Sequence, residues 1–483
     1  VGSGPGGAIT ALELARRGHD VVLLEAGPVA RKADLVRDGG LTMNRWFWDS
    51  GMRTTRGNVV LPTLQAKVLG GGSLINCAIC LRARESALEA WEEDWGVEGL
   101  TPDDLAPHYD AVEAFMGVAA TPDAVQGPRN DLFTRACRER GLEPEPILRN
   151  VDGCRGSGGC VYGCPNGAKL STDRRGVPEL IAAGGRVYTS AVVDRVVMRN
   201  GRAVGVEGHT TEPFKGNRAG TVRIEARHVV LAAGVINTPV ICQQSGLTAE
   251  PIGANLRMHP STVVAGYIPD LDVHPWYGAT QGVHTLSLIE HGIKLEALWA
   301  DPALMALRMQ GIGRGLKRQL RDYRNTLIWD AWVSGDDSVG TVRVVRGLPR
   351  PSIVYDIGPA DARRLQEASA VLAEMMFSVG ATKVYPGIHG LPPTLTAMED
   401  VAELRRSPVS PQDIPSGSNH VFGTMAMGDD PTRAATDSRG AVHGVQNLWV
   451  ADTSLFPSSP GVNPMLTAMA LGHRLAGTLA EEL

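Results

Sequence analysis

VGSGPGGAITALELARRGHDVVLLE, residues 1–25, is the stretch whose reading decides the fold. An apolar strand ends at Val1, and Gly2, Gly4 and Gly7 follow with the G-x-G-x-x-G spacing. A helix is expected from about Ala8 to Arg17, then a turn at Gly18, then a second strand over Val21–Leu24 that ends in Glu25. Each glycine has a physical task in such a unit. Gly2 permits the tight turn, Gly4 lets a pyrophosphate approach the backbone, and Gly7 lets helix and strand pack closely. The helix N-terminus then turns unpaired N–H groups toward the phosphates, and an acid at the position of Glu25 accepts hydrogen bonds from ribose hydroxyls. An acid there also disfavours a 2′-phosphate, which leaves FAD or NAD(H) as the dinucleotide.

At 483 residues the chain exceeds one ordinary core, so two domains are expected. Apolar residues make up 43% and charged residues 20%, an ordinary soluble composition. A net charge of −5 argues against nucleic acid or an anionic membrane as the main partner. No apolar run is long enough for a transmembrane segment. Seven cysteines, three of them clustered, do not resemble a secreted disulfide framework, and cytoplasmic localisation is favoured. A strand of this kind has four or five residues before its first glycine, so the natural N-terminus, with any signal peptide, is expected to lie upstream of Val1.

Further along, Lys67-Val-Leu-Gly-Gly-Gly-Ser-Leu-Ile-Asn-Cys77 offers a backbone without side-chain bulk, beside which a flat ring or a diphosphate can lie. An ordinary glycine-rich turn is the other reading of that segment. Residues Glu85–Phe115 read as helical, with breaks at Pro102 and Pro107. Val187–Val197 and Ala203–Glu207 read as a hairpin about Asn200-Gly201. His228–Ala232 is a strand running into Gly234 and a helix over about 238–245, the second half of a discontinuous nucleotide-binding domain. Residues 263–410 alternate short strands with a long amphipathic helix over about 360–379, as in a mixed sheet with a covering helix. A last helix is expected over Met465–Glu482.

Five ordered motifs then converge: GSGPGG with Glu25, KVLGGGSLIN, AAGVINTPVICQQSG, GANLRMHP, and HVFGTMAMGDDP through GVQNLWVADTSLFPSSPGVNPMLTAMAL. Together they resemble the glucose–methanol–choline (GMC) flavoprotein oxidoreductases over nearly the whole chain. The middle segment and the cysteines look most like long-chain alcohol oxidases and bacterial relatives that act as alcohol or sugar dehydrogenases. The resemblance implies an α/β (α+β) protein: a Rossmann-like FAD-binding domain, discontinuous over 1–90, 186–262 and 415–483. A mixed-sheet substrate domain with cap segments would occupy 91–185 and 263–414. It implies FAD, held at Gly2, Gly4, Gly7 and Glu25, along Gly71, Gly72, Ser73 and Asn76, by the backbone of Val193, and by Asp452, Asn463, Pro464 and Met465. Leu74, Ile75 and Asn76 stand where some members carry a flavin-linked histidine, so the FAD is expected to be non-covalent.

Alcohol oxidation needs a base for the hydroxyl proton while hydride leaves the same carbon. By the HVFGT and GVNP motifs, His420 is that base and Asn463 its partner on the substrate oxygen; His259 is expected to be structural. The substrate is then an alcohol, with a hydrophobic or secondary one favoured over a sugar, and the electron acceptor oxygen, a quinone or a cytochrome. A lyase with a structural FAD is a further reading. Cys154, Cys160 and Cys164, spaced C-x5-C-x3-C before Pro165, suit a soft metal. In cytochrome-linked sugar dehydrogenases of the family a comparable segment carries a [3Fe–4S] cluster, the alternative being a loop of buried or free thiols. Structural zinc would want a fourth ligand.

Overall fold

The computed structural model of the chain describes residues 1–309 and 311–483. Its nucleotide-binding sheet is assembled from four distant pieces of chain. Val22–Leu24 pairs in parallel with Arg186–Tyr188, and Val229–Leu231 pairs in parallel with Leu448–Val450. Val1 and Gly2 join the two ladders. The Gly2 N–H donates to the Leu24 carbonyl (2.7 Å), and the Ala232 N–H donates to the Val1 carbonyl (2.7 Å). Val22–Leu24, Val229–Leu231 and Leu448–Val450 are wholly apolar and mostly buried, as strands covered on both faces are, whereas Arg186–Tyr188 stays open at the edge.

The first helix is Pro5–Arg16, three residues earlier than expected, because Pro5 with its preset φ opens it. The last helix, Met465–Glu482, lies against it. Glycines set their distance: a Cβ on Gly472 would stand 2.6 Å from the Gly6 carbonyl oxygen. The Thr10 hydroxyl sits at the same crossing, within hydrogen-bond reach of the carbonyls of Gly6 (2.9 Å) and Gly472 (3.0 Å). This contact carries the end of the chain to its beginning.

The expected hairpin forms from Ala191–Arg199 and Arg202–Thr211, with Asn200 and Gly201 both at positive φ, and Arg218–Glu225 completes a three-stranded sheet. The expected break at Pro102 is present, separating Glu85–Trp95 from Pro102–Met116. Pro107, however, lies inside the second helix. Burial of Leu105, Tyr109, Val112 and Met116 on one face offsets the hydrogen bond that the proline cannot make.

A six-stranded antiparallel sheet forms the other large layer, in the order Lys383–Tyr385, Ser261–Tyr267, Thr326–Val333, Ile293–Ala297, Val283–Thr285, Pro144–Pro146. The helix Pro359–Ser378 covers one face, where Ile293, Leu295, Trp329, Ala331 and Val333 pack with Leu365, Ala368 and Leu372. The alternate residues of the same strands, Lys294, Glu296 and Trp332, are buried too, although they point to the opposite face. Among the described residues no helix is long and apolar enough to cross a membrane.

Candidate active site

Strand register brings the two central histidines together. Arg257–Met258 pairs antiparallel with Val421–Phe422, Met258 opposite Val421, so His259 and His420 are the next residues on facing strands. Their rings meet edge to face, with Nδ1 to Nδ1 at 3.1 Å. His259 is buried, stacked on Trp332 with centroids 4.2 Å apart, and its Nε2 lies 2.7 Å from the Ser459 hydroxyl. His420 keeps part of its surface open. On its other side, His420 Nε2 lies 3.1 Å from the side-chain amide nitrogen of Asn463. The expected pair is therefore in contact, and His259, expected to be only structural, is the third member of the line.

Asn463 also reaches the second sheet. Its amide oxygen accepts a hydrogen bond from the Lys294 ammonium (2.8 Å), which is ion-paired to Glu296; Gln281 donates to the same carboxylate. Lys294 is 0% and Glu296 1% exposed. Sequence reading missed both. The signal was present in Ile293-Lys-Leu-Glu-Ala297, where opposite charges two apart interrupt an otherwise apolar strand. Burial, then the Lys294 charge, pushes the His420 imidazole down to about 3. Burial, His420 and Lys294 hold His259 well below its ordinary value. Both rings are neutral near pH 7.

The glycine-rich segments converge on the same place. A Cβ on Gly71 would stand 2.8 Å from the Gly4 Cα, so KVLGGGSLIN lies directly on the first loop. A Cβ on Gly4 or Gly72, in contrast, would meet nothing within 4 Å. Gly4 caps the first helix without a side-chain hydrogen bond, leaving N–H groups for an anion. Open space beside bare backbone at a helix N-terminus fits the diphosphate of FAD. Asn76 donates to the Met465 sulfur (2.9 Å), tying this segment to the start of the last helix, where Asn463 and Pro464 stand.

Several of the expected cofactor residues hold the loop itself. Glu25 accepts from the Ser3 N–H (3.0 Å), the Ser3 hydroxyl (2.6 Å) and the Gly27 N–H (2.7 Å), and burial raises its pKa. Ser73 is fully buried and gives its hydroxyl to the Gly70 carbonyl (2.7 Å). Asp452 accepts from the Gly234 N–H (2.9 Å) and the Thr238 hydroxyl (2.6 Å). Gly7 packs under the sheet, where a Cβ would meet the Gly2 carbonyl oxygen at 2.3 Å. Val193 stands at a bulge, where the ladder slips between Val193 and Arg195.

The three clustered cysteines are not drawn together. Among the described residues no group of three His, Cys, Asp or Glu side chains is gathered to hold a metal. Cys160 is instead buried with its sulfur 2.9 Å from the Arg149 guanidinium, and Lys169 donates to its carbonyl (2.9 Å). Burial alone would raise this thiol, but Arg149 and Lys169 outweigh it and hold it below its ordinary value. Among the described residues Cys154 and Cys164 do not join Cys160 in a ligand set.

Comparison with known proteins agrees with this geometry. Family models for GMC oxidoreductase match residues 32–261 (the N-terminal part) and 336–472 (the C-terminal part), and an NAD(P)-binding Rossmann-like domain matches 1–48. A GMC-type oxidoreductase of Mycobacterium tuberculosis, described as uncharacterised, is 35% identical over 99% of this chain and 74% of its own length. A long-chain-alcohol oxidase of Arabidopsis thaliana is 25% identical over 100% of this chain and 67% of its own. Among solved structures, pyridoxine 4-oxidase from Mesorbium loti superposes with a TM-score of 0.74 at 16% identity, covering 99% of this chain and 98% of that one. An FAD-dependent oxidoreductase from Chaetomium thermophilum gives 0.72 at 19%, covering 100% and 98%. The chain belongs to the GMC oxidoreductases and is an FAD-dependent oxidoreductase.

Proposed function

We propose that the protein oxidises an alcohol to its carbonyl, with His420 as the base for the hydroxyl proton and Asn463 as the hydrogen-bond partner of the substrate oxygen. The observation that carries this reading is the 3.1 Å contact between His420 Nε2 and the Asn463 amide, beside the segment that Asn76 ties to Met465. FAD, bound non-covalently, supplies the hydride acceptor at its N5. The residues named above hold it: Gly2, Gly4 and Gly7 at the diphosphate, Glu25 at the ribose, Val193 at the adenine. Gly71, Gly72, Ser73, Asn76, Asp452 and Asn463–Met465 line the remainder. The FAD domain comprises 1–90, 186–262 and 415–483, and the rest of the chain shapes the substrate chamber. Oxygen, a quinone or a cytochrome takes the electrons afterwards.

His420 is neutral at working pH, so its Nε2 lone pair is available to receive the hydroxyl proton. Likeness to long-chain-alcohol oxidases supports a hydrophobic or secondary alcohol as substrate. A polyol or sugar is the second reading, favoured by the wall itself. Lys294, Glu296 and Gln281 are buried beside Asn463. Among the described residues the Trp332 indole N–H and one nitrogen of buried His284 have no partner, and a hydroxyl-rich ligand would satisfy such groups.

Anaerobic titration of the yellow protein with a panel of alcohols and sugars, read by flavin bleaching, tests the reading and separates the two substrate classes. His420→Ala is expected to stay yellow and to be reduced about 10²- to 10⁴-fold more slowly. Bleaching at the wild-type rate would remove His420 from the chemistry. Failure of every alcohol to bleach the wild-type protein would favour a lyase.

A further inference from the structure

Lysine can only donate hydrogen bonds, and that fact orders the whole site. The atom of Asn463 that faces Lys294 Nζ at 2.8 Å must be the amide oxygen, so the NH2 group faces His420 Nε2 at 3.1 Å. An NH2 group also only donates, so Nε2 must carry a lone pair. Neutral His420 then bears its proton on Nδ1 and donates it to His259 Nδ1 at 3.1 Å. His259 in turn bears its proton on Nε2 and donates to the Ser459 hydroxyl at 2.7 Å, which also accepts the Gly461 N–H at 3.0 Å. With the opposite amide orientation, NH2 would face an ammonium and the oxygen would demand a proton on Nε2. The base would then be blocked.

We propose that Lys294 is a positioning residue which, through Asn463, fixes the direction of every proton from the second sheet to Ser459 and so keeps the His420 Nε2 lone pair ready for the substrate hydroxyl. A hydroxyl placed between Asn463 and His420 fits the same direction: its oxygen accepts from the Asn463 NH2 and its proton points to Nε2. That proton passes to Nε2 as the alcohol is oxidised, and bound FAD would supply the hydride acceptor. His420 becomes a cation, and the carbon–oxygen bond becomes the carbonyl. Glu296, ion-paired to Lys294 and bonded to Gln281, holds the ammonium in place. The inference rests on His420 acting as the base and adds to it the group that sets its tautomer.

The charged or titratable groups facing His420 are His259, at the end of the Arg257–Met258 strand, and Lys294, with Glu296 behind it on the Ile293–Ala297 strand. The Lys294 charge opposes protonation of His420, so its removal raises the pH at which His420 is silenced by acid. Lys294→Met alone would strand the Glu296 carboxylate. The test therefore uses Lys294→Met/Glu296→Gln, with Lys294→Arg as the charge-preserving variant, each loaded with FAD. Anaerobic flavin reduction is measured from pH 3 to 9, the acid points by rapid pH jump from neutral solution, with the alcohol that reduces the wild type fastest.

The double variant should stay yellow, be reduced about 10- to 100-fold more slowly, and show its acid limb at a higher pH. Lys294→Arg should keep the acid limb of the wild type. A double variant with the wild-type rate and acid limb would overturn the proposal, even if His420→Ala is inactive and the reading of His420 as base stands. A second measurement needs no variant. Histidine 15N spectra of the wild-type holoenzyme should show His420 bare at Nε2 and protonated at Nδ1, and a proton on Nε2 would overturn the proposal whatever the variants do.

Discussion

The Ser3 hydroxyl accepts the Gly70 N–H (2.9 Å) and donates to Glu25 (2.6 Å), while the Ser3 carbonyl accepts the Thr172 hydroxyl (3.0 Å). One small residue thus knots the first loop, the end of the second strand and the glycine-rich segment. Its importance was hidden in the sequence, because the x positions of G-x-G-x-x-G carry no side-chain requirement of their own. Ser3→Ala removes a charge-assisted hydrogen bond from a buried carboxylate, which typically costs about 1–3 kcal/mol. Urea unfolding should show that loss, and FAD should dissociate faster from the variant because Gly70 precedes the glycines proposed to line the flavin. An unchanged midpoint would mean that Glu25 finds another donor. His259 was obscure for a different reason. A histidine in an isolated motif reads as structural, and only the pairing of Met258 with Val421 reveals that it meets His420.

Helices were the most legible elements, because capping and periodicity are local. The last helix spans the expected Met465–Glu482, and the long covering helix, at Pro359–Ser378, is displaced by one residue at each end. The cysteine loop was the least legible, since spacing says how far apart thiols lie along the chain and not what fills the space between them. Arg149, from a different segment, meets the Cys160 sulfur. At the element scale the crossing of the first and last helices makes a paired test. Gly472 and Gly477 both lie within the last helix, where glycine costs about 0.5–1 kcal/mol relative to alanine. A Cβ on Gly472 would press the Gly6 carbonyl at 2.6 Å, whereas one on Gly477 would find only the end of the Arg17 side chain at 3.8 Å. Gly477→Ala should therefore stabilise the protein by about 0.5–1 kcal/mol. Gly472→Ala should destabilise it by about 1–3 kcal/mol and loosen FAD, because that helix follows Asn463-Pro464, proposed to border the flavin. Thermal melts and flavin release report both, and equal effects would refute the close crossing.

Across the whole molecule, the site exists only where residues far apart in sequence meet: the glycine loop at the start, the Lys294 strand in the middle, and His420 with Asn463 near the end. Motifs marked the two ends because their spacing is short. The middle was illegible because a buried ion pair on a strand depends on what that strand faces. This polar interior has a consequence for acid stability. Burial holds His259, His284 and His420 neutral in the fold, with His284 at about 2 and His420 at about 3. Unfolded, each titrates near 6.5. Below about pH 6.5 the unfolded chain therefore binds three protons that the fold refuses. The stability from these groups is complete above that pH and is lost as the pH falls toward 3. Burial lowers His108, to about 4, and His228 and His473 as well, so six imidazoles take up protons on unfolding. Four carboxyls act the other way, since burial raises Glu25, Asp131 and Asp173 and, with Asp337 beside it, raises Asp361 to about 6. The imidazoles outnumber them, and each proton in excess favours unfolding by roughly 1.4 kcal/mol per pH unit. The Tm of the FAD-loaded protein should accordingly fall between pH 7.5 and 5.5, and His284→Asn should flatten that fall by about one proton. Calorimetry at a series of pH values decides it, and a Tm that holds or rises on acidification would mean that these imidazoles are already charged in the folded protein.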